Sequence, residues 1–150
     1  MIRGRLAGPV TLLLAAACTA SCKYEPPLLL TVDDIVSKGP ALKGRTVEVS
    51  GYLAYCQGFD CKLFRSRREA SDRDQAQIAF RSGVNLPRSL PMDVGIGVGP
   101  NRDFDRKAAP FIDRYVVITG KLTGARCYPG GGTDRCSDLE PTAIRARTDP

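Results

Sequence analysis

Two segments of this chain share one seven-residue pattern, which strongly limits how the chain can fold. Residues 47–53 read VEVSGYL and residues 116–122 read VVITGKL, with valine, glycine and leucine at matching positions. Alternating side chains face opposite sides of a strand, so the copies predict strands over Arg45–Tyr55 and Tyr115–Thr123. A glycine inside a strand indicates a bend, a bulge or a close backbone approach, and strongly bent strands are typical of small barrels. One face of the first strand is predicted to carry Val47, Val49, Gly51, Leu53 and Tyr55.

The N-terminal segment has the plan of an export signal. Arg3 and Arg5 precede an apolar run that ends in small residues at Ala17, and this run is too short to span a bilayer as a stable helix. Residues 1–22 are therefore predicted to be a signal region. Residues 23–30, which contain Pro26 and Pro27, are predicted to be a stiff tether, and residues 31–150 to be one domain.

Two cysteines, Cys18 and Cys22, follow small residues at the end of the signal region. The segments AAAC and TASC resemble the lipobox of bacterial lipoproteins, whose cysteine becomes the lipid-bearing first residue of the mature chain. The resemblance implies lipidation of Cys18 or Cys22. The end of the apolar run favours Cys18, whereas an even number of remaining cysteines favours Cys22. The expected location is the periplasm or cell envelope, held by the lipid, and ordinary signal cleavage would instead give a soluble secreted protein.

The net charge of the chain is +6, and two of its positively charged residues, Arg3 and Arg5, belong to the signal region. A mild basic excess favours anionic surfaces such as lipid headgroups, whereas DNA-binding domains usually concentrate more charge on one face. The arginines between positions 65 and 73 are interleaved with acidic residues, which indicates a solvated surface.

Short elements separated by turn residues make up the rest of the domain. Thr31 starts a helix of about two turns through the pattern [ST]-x-x-[DE], and Gly39 and Pro40 end it. Residues 65–77 are charged and predict a surface helix or an ordered loop. The remaining predicted elements are strands at Arg45–Tyr55, Lys62–Phe64 and Asp93–Val98, a helix from Phe104 towards Ile112 interrupted at Pro110, and strands at Tyr115–Thr123 and Pro141–Arg147.

This order of three strands, a helix and two strands is the order of an OB-fold, a five-stranded Greek-key barrel. Residues 31–147 resemble small bacterial OB-fold-like proteins, many of them secreted or lipid-anchored and without an assigned activity. The segments that carry the resemblance are KGRTVEVSGYL, the C-x4-C turn, FDRKAAPFIDRYVVITGKL and LEPTAI. The predicted fold class is mainly β: a five-stranded OB-fold-like barrel with a helix between its third and fourth strands and a short N-terminal helix.

Four cysteines lie in the predicted domain: Cys56, Cys61, Cys127 and Cys136. An exported compartment oxidises thiols, so two disulfides are expected, with the local pairs Cys56–Cys61 and Cys127–Cys136 favoured and cross-pairing left open. A zinc site with four thiolates is the alternative, although the spacings differ from the usual C-x2-C and the chain has no histidine. A thiol-dependent factor would also use this cysteine-bearing end.

No residue set in the sequence indicates catalysis, and no cofactor or metal is predicted. Without histidine, acid–base chemistry would depend on carboxylates, lysine or tyrosine with shifted pKa values. Asp103 and Asp105 are explained by the start of a helix. The alternating glycines at 95, 97 and 99 lack the spacing of a nucleotide-binding loop, which favours close packing as their role.

Binding is therefore the predicted function. In an OB-fold, the loops that carry the cysteines flank the ligand cleft. The predicted ligand-binding residues on these loops are Gln57, Phe59, Asp60, Arg126, Tyr128 and Arg135. The sequence predicts a non-enzymatic binding or envelope-assembly module, attached to the membrane by its lipid, with a glycan, peptide or envelope protein ranked above nucleic acid as ligand. An OB domain that binds oligonucleotides or oligosaccharides is a further alternative.

Overall fold

The computed structural model describes residues 26–85, 90–124 and 135–148. These residues form a mixed α/β structure with a six-stranded, mostly antiparallel sheet and three α-helices. The strands are β1 (Leu28–Thr31), β2 (Thr46–Gln57), β3 (Asp60–Phe64), β4 (Asp93–Gly95), β5 (Arg114–Leu122) and β6 (Leu139–Ala146). The helices are α1 (Val32–Lys38), α2 (Arg67–Arg81) and α3 (Phe104–Ala108), with 3₁₀ turns at Gly39–Leu42 and Ala109–Phe111.

The strand order is β4-β3-β2-β5-β6, and β1 pairs in parallel with the first part of β2. The predicted sequence of elements from the first helix onwards is confirmed, but the prediction of a five-stranded barrel is wrong. The sheet has a sixth strand and is not closed into a barrel, because β4 and β6 meet at one isolated parallel bridge, Ile96 with Leu139, instead of a ladder. The additional strand β1 begins at Leu28, inside the predicted tether, because this apolar run pairs with β2.

The two copies of the seven-residue pattern pair with each other. In the antiparallel register of β2 and β5, Val47 lies opposite Gly120 and Gly51 lies opposite Val116. A Cβ atom added at Gly51 would lie 2.6 Å from the Leu63 Cγ atom, and one at Gly120 would lie 2.5 Å from a backbone oxygen of β6. Each glycine therefore permits a close approach that a side chain would block, which confirms the predicted role of the two glycines.

A β-bulge changes the faces of β2 near its end. The register with β3 shifts between Leu53 and Tyr55, so the alternation predicted over the whole strand holds as far as Leu53 and then reverses. Tyr55 packs with Phe64 on the outer face instead of joining the main core, while Cys56 turns into the core. The prediction that Tyr55 shares a face with Leu53 is therefore wrong.

The start of α1 is a capping box, as its sequence pattern predicts. The backbone N–H of Asp34 donates to the Thr31 hydroxyl (3.2 Å), and the Thr31 backbone N–H donates to the Asp34 carboxylate (3.0 Å). Lys38 donates to the same carboxylate, and these bonds to the ionised form hold the pKa of Asp34 well below its usual range. Val32 and Ile35 are buried, so α1 packs against the sheet through one face.

The longest helix, α2, covers part of the outer face of the sheet. It begins after the N-cap Ser66 and continues to Arg81, beyond the predicted segment. Ala70 packs on Tyr52 and Phe64, where it forms a second, smaller apolar cluster. None of the helices in the described ranges is long and apolar enough to cross a membrane.

Candidate binding site at the disulfide hairpin

The hairpin that joins β2 to β3 is closed by a disulfide. Cys56 pairs with Cys61 across the two strands and is bonded to it, as the local pairing predicted. The turn consists of Gly58 and Phe59, and Gly58 has φ of 60°, a left-handed conformation that glycine adopts without strain. The Phe59 side chain is 78% exposed at the tip. The hairpin thus presents one large aromatic ring on a covalently closed turn.

Arg135, which precedes β6, fastens this hairpin to the rest of the fold. Its side chain is 6% exposed. The Nε atom donates to the Ile96 carbonyl (2.8 Å), Nη1 donates to the Gly58 carbonyl (3.2 Å), and Nη2 lies 3.3 Å from the Cys56 sulfur. Nη1 also forms an ion pair with Asp105. One guanidinium therefore joins the hairpin, the end of β4 and α3.

Asp105 completes this arrangement from the first turn of α3. Its second carboxylate oxygen accepts a hydrogen bond from the Gly58 backbone N–H (3.0 Å). The sequence explained both Asp103 and Asp105 by the start of a helix. Asp103 fits that explanation, because its carboxylate lies 3.2 Å from the Lys107 amine and 3.5 Å from Arg106. Asp105 instead contacts the hairpin, 47 residues earlier in the chain, and no local pattern indicates this contact.

A groove of about 470 Å³ lies where the end of β2 meets α3 and the 3₁₀ turn after it. Most of its lining surface is apolar. Its lining residues are Tyr55, Cys56, Gln57, Asp105, Arg106, Ala109 and Ile112. The Asp105 carboxylate is already paired with Arg135. Among the described lining residues, the other charged group is therefore Arg106, whose side chain is 83% exposed. Such a groove suits a ligand with an apolar body and few polar contacts.

The predicted ligand-binding residues have different surroundings. Gln57 lines the groove, and Phe59 is exposed on the same hairpin. Asp60 lies 3.4 Å from the Lys62 amine. Arg135 is engaged inside the protein and serves as a structural tie. Arg126 and Tyr128 lie outside the described residues, as do Cys18 and Cys22.

Only one cysteine of the second predicted disulfide, Cys136, lies within the described residues. Cys136 is disulfide-bonded, and its predicted partner, Cys127, lies outside the described residues. Arg135, beside Cys136, contacts Gly58, so the described part of the second cysteine loop lies against the first, as predicted. With Cys56 and Cys61 bonded to each other, these two sulfurs are not thiolates that could bind zinc. No group of three or more His, Cys, Asp or Glu side chains in the described ranges is placed to hold a metal ion.

A second polar cluster fastens α2 to the sheet. The Arg73 guanidinium and the Lys62 amine lie 3.7 and 3.9 Å from the same carboxylate oxygen of Asp93. Burial raises the pKa of Asp93, and burial likewise raises the pKa of Tyr55. The Arg73 and Asp93 side chains are 7% and 6% exposed, so this cluster serves packing between α2 and β4.

Comparisons with known proteins leave the interpretation of this site to its geometry. Neither a protein-family model, nor a curated protein sequence, nor a solved structure matches this chain.

Proposed function

We propose that this protein is an exported, lipid-anchored, non-enzymatic binding module that takes part in envelope assembly. The lipobox-like segments before Cys18 and Cys22 support export and anchoring. The Cys56–Cys61 disulfide supports the same compartment, because disulfides persist in oxidising surroundings.

The proposed fold is an open form of the OB-fold. Its five strands would be β2, β3, β4, β5 and β6, with α3 between the third and fourth. Two features of the strand pairing support this assignment. The long β2 pairs with both β3 and β5, and the parallel bridge between Ile96 and Leu139 lies where the third and fifth strands of an OB-fold meet. The strand β1 and the helix α2 are then additions to the minimal fold.

The proposal of a binding function depends on the groove beside the disulfide hairpin. The groove is mainly apolar, its walls are fixed by a disulfide and by Arg135, and Phe59 is exposed on the same hairpin. Apolar walls with few polar groups suit a peptide segment of a partner protein better than a glycan, whose hydroxyls need many hydrogen bonds. We therefore assign the groove to an extended, partly apolar peptide of an envelope protein.

Site-specific photo-crosslinking in the native kind of host tests this assignment. A benzoylphenylalanine replaces Phe59 in one variant and Ile78 in a control, since Ile78 is also a well exposed apolar side chain (65%) but lies on α2. A third variant combines the Phe59 replacement with Ala109→Glu, which places charge in the groove at an exposed position with helical backbone angles.

The expected result is a discrete protein adduct from position 59 that is absent from position 78 and is lost with Ala109→Glu. The same adducts from both positions, or an adduct that survives Ala109→Glu, would contradict the peptide groove. An adduct to a glycan or a nucleic acid would assign the hairpin to the alternative ligands. Intact-mass analysis before and after reduction checks the lipid and the disulfides in the same preparation.

A further inference from the structure

The first strand, β1, begins with two exposed leucines at one end of the sheet. Leu28 and Leu29, the first residues of β1, are 47% and 57% exposed. Leu28 follows Cys22 by six residues and Cys18 by ten. A fully extended segment of that length reaches at most about 21 or 35 Å, so a lipid on either cysteine would keep these leucines within that distance of the bilayer.

Three cations lie at the same end of the sheet. Because β1 and β2 are parallel, Leu28 lies beside Val47 at the start of β2, and Lys121 lies opposite Thr46. The Gly44 backbone N–H donates to the Leu122 carbonyl (2.8 Å), which places Lys43 and Arg45 at this end as well. Lys43, Arg45 and Lys121 are exposed. None of them forms an ion pair with a carboxylate within the described ranges, although Glu140 lies opposite Lys121 in the register of β5 and β6.

We propose that this anchor end, defined by Leu28, Leu29, Lys43, Arg45 and Lys121, lies against an anionic phospholipid surface. The inference builds on the lipid anchor of the proposed function. The leucines supply apolar area for the headgroup boundary. Each cation near an anionic leaflet strengthens contact about fivefold, which corresponds to about 1 kcal/mol. A lipid anchor and a basic patch are the two signals that together give stable, oriented attachment.

This contact fixes the direction in which the groove faces. The strand β2 runs from the anchor end, at Thr46, to the disulfide hairpin, at Gln57. Its 12 residues span at most about 36 Å when extended. With the anchor end on the bilayer, the hairpin and its groove face away from the membrane, where a partner protein can reach them.

Tryptophan fluorescence tests the orientation, because the chain contains no tryptophan. Leu29→Trp and Phe59→Trp each introduce one reporter at an exposed site. Leu29 lies in β1 beside the start of β2, and Phe59 lies in the turn that follows the end of β2. The lipidated full chain is reconstituted into phosphatidylglycerol vesicles with brominated acyl chains, which quench tryptophan on contact. We expect Leu29→Trp to be blue-shifted and quenched and Phe59→Trp to keep its emission. Equal quenching at both sites, or none at position 29, overturns the proposal.

The charge contribution has its own matched control. Replacing Lys43, Arg45 and Lys121 by glutamine is expected to reduce the quenching of Leu29→Trp in phosphatidylglycerol. Replacing Arg68, Arg81 and Arg102 by glutamine lowers the net charge by the same amount and is expected to leave the quenching unchanged. Equal loss in both triple variants overturns the assignment of the patch. If intact mass shows no lipid, the anchor of the proposed function fails. The unlipidated Leu29→Trp chain is then added to the same vesicles. Quenching would support contact between the anchor end and the phospholipid surface, and no quenching would overturn that contact.

Discussion

Replacing Arg135 by glutamine should destabilise this protein far more than replacing a second arginine that also pairs with a carboxylate. Arg135 pairs with Asp105 and donates to two backbone carbonyls, and its side chain is 6% exposed. Arg145 lies 2.9 Å from the Glu48 carboxylate, but its side chain is 51% exposed. The two ion pairs have similar chemistry and differ in burial.

The expected size of each effect follows from that difference. Removing one partner of a buried ion pair costs about 3 to 5 kcal/mol, and each lost hydrogen bond to a carbonyl costs about 1 kcal/mol. The Asp105 side chain is 35% exposed and keeps the hydrogen bond from Gly58, so water and that bond recover part of the cost. We expect Arg135→Gln to lower the free energy of unfolding by about 3 kcal/mol. Arg145→Gln should lower it by about 0.5 kcal/mol, as for other surface pairs.

Urea unfolding of the disulfide-intact protein, followed by circular dichroism, measures both values. With a slope of about 1.5 to 2 kcal/mol per M, Arg135→Gln should move the midpoint by about 1.5 to 2 M and Arg145→Gln by less than about 0.5 M. A double-mutant cycle with Asp105→Asn then isolates the coupling between the two side chains. If Arg135→Gln and Arg145→Gln shift the midpoint equally, Arg135 is not the internal tie described above.

Three further predictions concern the hairpin, the sheet and the first helix. Replacing Cys56 and Cys61 together by alanine should cost about 2 kcal/mol, the value expected for a short closed loop, measured by the same urea titration. Gly51→Ala should cost about 2 kcal/mol in thermal unfolding, because its Cβ would lie 2.6 Å from a side-chain carbon, whereas Gly39→Ala, with 3.6 Å of clearance, should be close to neutral. The Asp34 carboxyl should titrate below 3.8 by NMR. Its folded pKa is below the unfolded one, so its stabilisation is present above about pH 3.8 and is lost as the pH falls through the folded pKa, and Asp34→Asn should remove that part of the acid dependence.

Local patterns in the sequence were sufficient where the physical cause is itself local. The capping box at Thr31 involves residues within one helical turn, and it forms as predicted. Pro110 ends α3 near Ala109 for the same kind of reason, because it removes a backbone donor in that turn. The glycines at 51 and 120 were also informative, since a strand that lacks a side chain at one position indicates a close neighbour.

Features that depend on distant partners were not predictable in this way. The pairing of β1 with β2 joins residues about twenty positions apart, so nothing near Leu28 distinguishes a strand from a tether. The bulge after Leu53 is a property of the β2 and β3 pair, and a period of two in one strand cannot reveal it. An arginine in a loop, such as Arg135, is typical of a ligand-binding residue. Its side chain instead turns into the protein, because its hydrogen-bond acceptors lie on three other parts of the fold.

The position of α2 explains why the candidate site lies at the hairpin end. OB-folds bind ligands on the face of their second and third strands and on the neighbouring loops. In the proposed fold these strands are β3 and β4, and α2 covers their outer face: Ala70 packs on Phe64, and Arg73 pairs with Asp93. A ligand would have to displace a buried ion pair to reach that face, at a cost of several kcal/mol. Within the described residues the groove beside the disulfide is open, so in the proposed fold it is an accessible part of the ligand-binding surface.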